Sequence, residues 1–385
     1  MSMLLFMPWC PIDKPYDLGA VELIPFVRDT AFAGVDEVNL RNLNSILATY
    51  KSLQAESVPR LAVVRYKGRS AIAELSDDEI NVAYDLATLA AFAGLAARDF
   101  LDPIGFYCNA DCFAMYVQKF DNADFTALTT RRRAGKQIAA WPLDRMSMTV
   151  PVHCHDLQRV TLNENVLSGL LEYRSLANIN EWSRWQSSIS CFNQANTDSE
   201  GIQIQTEWVL LCGAIQHLLG AGSKDKAVAT AFDSGIVPSR EILVRDATRR
   251  LPSWLDDTKS LRYAWMKEFY GVRGDFAHGK VNTQRPTAWH PHEHLVLASI
   301  AFPLLAKVLL SELGCYELAR EDEVQRNAFE RFADIPNFLT PPADQHDGTD
   351  THWQRVRQHT LHALRVAAAV QAFEEIRDGA DDINV

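Results

Sequence analysis

Cysteine is scarce and shows no pairing pattern in this chain. The 385 residues contain seven cysteines, an odd number, and they are scattered along the sequence. A disulfide framework would use an even number at regular spacings. We therefore expect reduced thiols and a cytoplasmic location. The apolar first ten residues have no basic leader and no cleavage pattern, so we expect no signal peptide.

Long hydrophobic runs are also missing. The longest, residues 295–306, is too short to span a membrane and contains Pro303. It predicts a buried core helix that the proline kinks. Hydrophobic residues make up 47% of the chain and charged residues 23%, so the composition predicts a globular protein rather than a disordered one.

Positive charge is in short supply, with 38 lysines and arginines against 49 acidic residues and a net charge of −11. This balance argues against a protein that binds nucleic acid over its whole surface, although one local basic patch would suffice for RNA. The strongest basic run is Arg131, Arg132 and Arg133, followed by Lys136. The run has two interpretations, an RNA-binding patch and a solvated loop.

Hydrophobic patterning changes near residue 160, and the length of the chain allows two domains. Residues 1–160 mix strand and helix patterns, which predicts an α+β domain, with a capped helix start at Ser76 and Glu79. Residues 161–385 follow helical periodicity almost throughout and predict an all-α bundle.

The predicted elements of the first domain are strands at residues 4–7, 21–26, 60–66, 112–120 and 124–130, and helices at residues 36–53 and 76–100. The predicted helices of the second domain are residues 162–176, 181–195, 199–219, 239–251, 260–278, 294–313, 321–332 and 351–376, with a loop at residues 341–350.

One helix ends in a pair of residues suited to phosphate chemistry, Arg273 and His278. Arginine offers a permanent planar cation with a fork of N–H donors that fits phosphate oxygens. Histidine can give or take a proton near neutral pH. Gly279 follows as a candidate helix C-cap, so His278 would lie in the last turn, where the helix dipole favours its protonated form.

The spacing of the pair constrains how it can act. At about 3.6 residues per turn, residues five apart point roughly 140° away from each other. In one straight helix, Arg273 and His278 would therefore be poorly placed to contact the same phosphate. We expect a distorted helix end or a symmetric dimer that brings two copies together.

The residues around this pair resemble the HEPN superfamily, whose signature is Arg, four to six residues, then His. Residues 269–279, FYGVRGDFAHG, are close to the aromatic-Tyr-x-x-Arg-x-x-apolar-x-His-Gly pattern of its ApeA-like branch. Upstream, the amphipathic helix at residues 202–219 carries Glu207 at the edge of its apolar stripe, where the family has an acidic residue that supports the arginine. Residues 182–195 resemble the family's preceding helix.

The resemblance implies a helical bundle that forms a homodimer through the motif. It also implies a metal-independent endoribonuclease of a toxin or antiphage system, without a cofactor. Arg273 and His278 would be catalytic, with Glu207 and Asp275 positioning the arginine. Lys280 and the run at Arg131–Arg133 are candidates for RNA binding. By analogy, the first domain would sense an unknown ligand or protein and restrain cleavage.

Gly274 departs from the family pattern, because many active members have a polar residue after the arginine. Asp275 is a candidate substitute. The departure keeps a second interpretation open, in which the bundle is a noncatalytic module that binds RNA, a nucleotide or a protein.

Other clusters carry weaker predictions. Cys108 and Cys112, with the His153-Cys154-His155 segment, have ligand types that zinc accepts, but lack the paired spacing of structural sites. The cluster at His290, His292 and His294 is predicted to be an exposed helix-entry loop. The sequence GAGSK at residues 220–224 lacks the frame of a phosphate-binding loop. We therefore expect no metal site.

Overall fold

The computed structural model describes residues 2–32, 35–98, 107–120, 125–132, 135–277, 286–340 and 352–381. The chain divides into two compact units. The first contains the N-terminal part up to Leu171 and returns at Asn196–Ser199, and the second contains Glu172–Ala195 and the chain from Glu200 on. The division therefore falls beyond the predicted boundary at residue 160. The backbone amide of Val160 donates to the Pro11 carbonyl at 3.0 Å, which ties this region to the first unit.

The strands of the first unit form an antiparallel sheet with a small parallel pair beside it. They are β1 (Ser2–Met7), β2 (Tyr16–Asp17), β3 (Val21–Val27), β4 (Tyr50–Lys51), β5 (Arg60–Tyr66), β6 (Ile72–Ala73), β7 (Tyr116–Phe120), β8 (Phe125–Arg132), β9 (Gly135–Pro142) and β10 (Met148–Thr149). Within the described residues, the sheet order is β2-β3-β5-β1-β7-β8-β9, with β6 also paired to β1, and β4 pairs with β10.

Two helices belong to this unit, α1 (Glu37–Leu47) and α2 (Asp77–Ala97). Ser76 and Glu79 cap α2 reciprocally, as predicted. The five predicted strands are confirmed in outline, although residues 110–113 form a 3₁₀ turn before β7. The predicted helix at residues 36–53 is wrong beyond Leu47, because β4 pairs there with β10. The short strands and β9 were not predicted.

The second unit is helical. Its elements, with the helix that enters it, are α3 (Glu164–Leu176), α4 (Ile179–Ala195), α5 (Ile204–Leu219), α6 (Asp225–Gly235), α7 (Leu261–Ala277), α8 (Pro291–Glu312), α9 (Arg320–Asp334) and α10 (His352–Asp381). The predicted helices are confirmed with small shifts at their ends, apart from residues 239–251, and α6 was not predicted. The predicted loop at residues 341–350 lies outside the described residues.

The core of this unit is aromatic. Trp208, Trp265, Phe232 and Phe269 are fully buried, and the Trp265 and Phe269 rings stack at 5.5 Å between centroids. Residues spaced three or four apart on a helix share one face, so the buried rings of α7 form a single face. Gly271 and residues 273–276, in the C-terminal half of α7, are only half-buried.

The predicted helix at residues 239–251 is wrong. The segment is extended apart from one 3₁₀ turn at Val244–Asp246. Carboxylates of α9 satisfy its backbone amides: the Ile242 amide donates to Glu330 at 2.7 Å, and the Thr248 and Arg249 amides donate to Asp334 at 3.0 Å. Buried backbone amides need a partner, and tertiary partners here replace the helical ones.

Arg249 ends this segment in a buried ion pair. Its guanidinium donates to both carboxylate oxygens of Glu293 at 2.9 and 3.0 Å, and to the carbonyls of Ala288 and Ala333. Both side chains are buried, at 3% and 2% exposure. The pair joins the extended segment to the start of α8, where Glu293 also accepts from the His290 amide at 2.8 Å.

Two of the described helices, α2 and α8, are long and apolar enough to cross a membrane by length and composition alone. In each, 61% of the most apolar stretch is buried within the structure. Helix α8 runs from Pro291 to Glu312 and is therefore longer than the apolar run that the sequence shows at residues 295–306. Leu297, Phe302 and Leu305 on α8 are fully buried, as expected of a core helix.

Substituting Arg249 with alanine should lower the free energy of unfolding by about 3–5 kcal/mol, because Glu293 would remain buried without its cation. Denaturant titration followed by tryptophan fluorescence measures the change. The matched control is Arg250→Ala at the neighbouring exposed position, which should change the value by less than about 0.5 kcal/mol. Equal losses in the two variants would contradict this role of the ion pair.

Candidate functional site

The motif helix α7 is fixed by contacts with α5. The Trp208 indole on α5 donates to the Phe269 carbonyl at 2.8 Å, and its ring meets the Phe276 ring edge-on at 5.2 Å. Trp208 is 1% exposed and Phe269 is fully buried. Phe276 lies within one turn of Arg273, so the last turns of α7 have a defined position on the bundle.

Arg273 packs on Tyr270, one turn earlier on α7. The centre of the guanidinium lies 5.2 Å from the centroid of the Tyr270 ring, and Nη1 donates to the Tyr270 hydroxyl at 3.3 Å. That hydroxyl donates in turn to the Gln216 side-chain oxygen on α5 at 2.6 Å. Burial raises the pKa of the Tyr270 phenol, which keeps the hydroxyl protonated and able to donate.

The positive charge of Arg273 is not neutralised within the described residues, where no carboxylate pairs with it. An aromatic face and a neutral hydroxyl hold the guanidinium, and its Nε atom is buried without a hydrogen-bond partner. The charge also reaches the buried Cys212 thiol, whose pKa burial raises and Arg273 partly lowers. An arginine that packs on an aromatic ring presents N–H donors of the kind that bind anions in proteins.

Tyr270 and Gln216 were not predicted to act at the site. Tyr270 had a sequence signal, because a residue three positions before Arg273 lies on the same helix face. Gln216 had none, since its contact depends on how α5 packs against α7.

The structure describes only some of the residues that were predicted to act with Arg273. Glu207 lies in the first turn of α5 and Asp275 in the last turns of α7. Within the described residues no contact joins either carboxylate to Arg273, so their positioning role stays a prediction. His278 and Lys280 lie outside the described residues.

Gly274 has room for a side chain. A Cβ atom built at this position meets no heavy atom of the described residues within 4 Å. The polar residue that the resembled family carries there would therefore fit without moving a neighbour. The glycine reflects no steric requirement of the fold.

A buried carboxylate anchors the chain that returns from the motif. Glu268 on α7 accepts hydrogen bonds from the Ala288 amide at 2.9 Å and the Trp289 amide at 3.1 Å. Its carboxylate also lies 3.1 Å from His294 Nε2, and both side chains are at most 1% exposed. Residues 286–294 are therefore fixed against the middle of α7.

His294 corrects the prediction of an exposed histidine loop. Its ring is fully buried and packs against Trp208, Trp265 and Phe269. His290 and His292 do lie on the exposed side, with their rings stacked at 5.6 Å. The buried histidine is a structural partner of Glu268.

Three cysteines of the first unit, Cys108, Cys112 and Cys154, lie close together around Asn109. No group of three or more metal-ligating side chains with suitable geometry occurs among the described residues. Cys108, Cys112 and Cys154 are buried, and burial raises the pKa of Cys108 to about 12. His153 instead pairs with Asp111 at 2.7 Å. Buried thiols behave as small apolar groups.

The basic run lies on a strand rather than in a loop. Arg131 and Arg132 end β8, where the backbone register pairs them with Lys136 and Gly135 of β9. Arg133 lies outside the described residues. The backbone places cationic residues on both strands of this hairpin, and RNA binding there stays a prediction.

Comparisons with protein-family profiles, curated proteins and solved structures give no match for this chain. Any assignment of function therefore rests on the residues of α7 and their surroundings.

His294 should make stability depend on pH. Burial lowers the pKa of this imidazole from 6.5, so below that pH the unfolded chain binds a proton that the folded chain does not. The stabilisation is complete above about pH 6.5 and is lost as pH falls below it. Between pH 7 and pH 5, wild type should lose up to about 1.4 kcal/mol per pH unit more than His294→Gln.

Denaturant titrations across this range measure the difference. The matched control is His217→Gln, at an exposed position of α5, which should keep the wild-type slope. Parallel pH profiles for wild type and His294→Gln would show that the buried histidine does not set this dependence.

Proposed function

We propose that the helical unit is a metal-independent endoribonuclease of the HEPN type. The observation that carries the proposal is the position of Arg273, which is held on Tyr270 near the end of α7 and has no carboxylate partner among the described residues. His278 follows it at the spacing of the resembled motif. Transesterification of a phosphodiester needs at least a cation for the phosphate oxygens and a group that transfers a proton, and Arg273 and His278 would supply these two functions.

The proposed reaction uses the RNA itself as the nucleophile. The 2′-hydroxyl attacks the adjacent phosphorus and loses its proton, and the bond to the 5′-oxygen breaks. The products are a 2′,3′-cyclic phosphate and a 5′-hydroxyl, so water is not consumed. Arg273 stabilises the charge that builds on the phosphate oxygens. His278 transfers the proton at the attacking or the leaving oxygen.

The proposed active form is a homodimer through the helical unit. Residues five apart on one helix diverge by roughly 140°, so the second copy would supply the missing half of each site. A two-fold axis at the ends of the two α7 helices would satisfy this requirement.

The first unit would restrain this activity in the cytoplasm, as expected of a toxin or antiphage effector that acts only when triggered. This part of the proposal rests on family analogy.

One observation favours a second candidate function. Gly274 offers no polar group next to Arg273, although the structure has room for one. In this alternative, the bundle uses Arg273 to bind RNA, a nucleotide or an acidic protein surface without cleaving it.

The arginine should not be replaceable by lysine. Arg273→Lys keeps a charge but loses the planar fork and its packing on Tyr270, and should reduce RNA cleavage by about two orders of magnitude. Initial rates on labelled RNA measure this. Arg250→Lys, at an exposed position, is the control and should cleave at the wild-type rate. Full activity of Arg273→Lys would mean that Arg273 supplies only diffuse charge.

Cleavage should continue in excess EDTA and leave cyclic phosphate ends, because Arg273 and His278 would supply the charge and the proton that a metal otherwise provides. The rate should fall as pH rises through the neutral range, where a histidine acid loses its proton. Mass spectrometry identifies the product ends. If chelation abolished cleavage and magnesium or manganese restored it, the metal-independent mechanism would be wrong. Glu207 and Asp275 would then become candidate metal ligands.

The dimer can be tested with a cysteine at Gly274, where a Cβ atom has open space. Gly274→Cys should form covalent dimers with a short bis-maleimide reagent, because the motifs face each other across the axis. Wild type is the control, since six of its seven cysteines are buried and Cys191 is half-buried. A monomer in light scattering that also fails to crosslink would refute the paired site.

A further inference from the structure

The first unit contains a cavity that the proposed nuclease activity does not use. Its volume is about 320 Å³, and its walls include Pro8, Trp9, Pro11, Arg60 and Asp156. Small-molecule sites begin at roughly 300 Å³ and combine apolar walls with a few polar groups. The size suits a small metabolite rather than a polymer.

The apolar walls are rigid. The Trp9 side chain packs against the Tyr50 ring at 5.7 Å between centroids and is 5% exposed. Pro11 is tied to Val160 through a backbone hydrogen bond of 3.0 Å. Proline fixes its own backbone, so these walls would not have to order on binding a ligand.

The cavity also carries two opposite charges that do not pair with each other. Arg60 begins β5 and Asp156 follows His155, and both side chains are half-buried. Within the described residues, neither side chain takes part in an ion pair. Half-buried charges without a partner are costly unless solvent or a ligand satisfies them.

The backbone holds Asp156 in an uncommon, left-handed conformation. His155 and Asp156 both have positive φ, at 56° and 48°. This region is uncommon for residues other than glycine and costs conformational energy. The left-handed turn brings Asp156 and Gln158 to the cavity wall.

The charges define the class of ligand. One guanidinium matches one carboxylate, and one carboxylate matches one ammonium group. A nucleoside polyphosphate carries several negative charges, which Arg60 alone would not balance and which Asp156 would repel. Trp9 and the prolines suit an apolar or aromatic side chain that extends from the carbon carrying both charged groups.

We propose that this cavity binds a free amino acid with an apolar or aromatic side chain, with Arg60 on its carboxylate and Asp156 on its ammonium group. The proposal is independent of whether the helical unit cleaves RNA. It gives the first unit a specific metabolite to sense.

Calorimetric titration of the full chain with each of the twenty standard amino acids tests the site. At least one apolar or aromatic amino acid should bind with one site per chain. For an aromatic ligand, phenylpropionate and phenethylamine serve as probes that lack the ammonium and the carboxylate. Each should bind at least about tenfold more weakly than phenylalanine, because one charge-assisted contact is lost.

Arg60→Gln and Asp156→Asn should each weaken binding by about tenfold or more. Asparagine tolerates a left-handed backbone as well as aspartate does, so Asp156→Asn removes the charge without new strain. Arg41→Gln and Glu56→Gln change exposed charges elsewhere in the first unit and should bind like wild type.

Three outcomes would overturn the proposal. The first is that no amino acid binds at concentrations up to about 5 mM, the weak end of specific binding. The second is that GMP, used as a nucleotide probe, binds and loses as much affinity in Arg60→Gln as the amino acid does. The third is equal affinity of the amino acid in all four variants, which would place its site outside this cavity.

Discussion

The buried carboxylate of Glu268 fixes the segment at residues 288–294 against α7, the helix that carries the candidate site. It lies in the middle of α7 and holds the Ala288 and Trp289 amides and the ring of His294. The chain leaves α7 carrying Arg273 and returns at these anchored residues. The described part of the motif helix and the segment that follows it in the structure are therefore both fixed to the aromatic core.

Two other buried carboxylates around α7, those of Glu293 and Glu330, have a similar role. Glu293 binds Arg249 and the His290 amide. Glu330 receives the Arg262 guanidinium at 2.7 Å near the start of α7, and burial raises the pKa of this carboxyl. Buried carboxylates are costly when they lose a partner, so they define one arrangement of the irregular segments and hold the motif helix in it.

The fold was largely predictable where local signals agree. Period-two and period-3.6 patterns and the Ser76 cap located most strands and helices, because burial of one face dictates those spacings. Residues 239–251 look helical but are not, since Glu330 and Asp334 of α9 bind their backbone amides. Partners distant in sequence leave no local pattern.

The candidate site was predictable in part for the same reason. Arg273 is a chemically distinctive residue at the end of a patterned helix, and Tyr270 lies one turn before it. Gln216 acts only through the packing of α5 against α7, which no spacing within α7 encodes. The burial of His294 likewise depends on the aromatic core around it, whereas its neighbours His290 and His292 are exposed.

We propose that Arg273 and His278 form one centre that breaks phosphodiester bonds. Single-turnover cleavage of labelled RNA in excess chelator, with wild type and His278→Ala compared at equal folded concentration, tests it most directly. The account predicts cleavage by wild type and a loss of at least about a hundredfold in the variant, as expected when a general acid is removed. Equal rates for the two proteins, or binding without cleavage across varied RNAs, would contradict it.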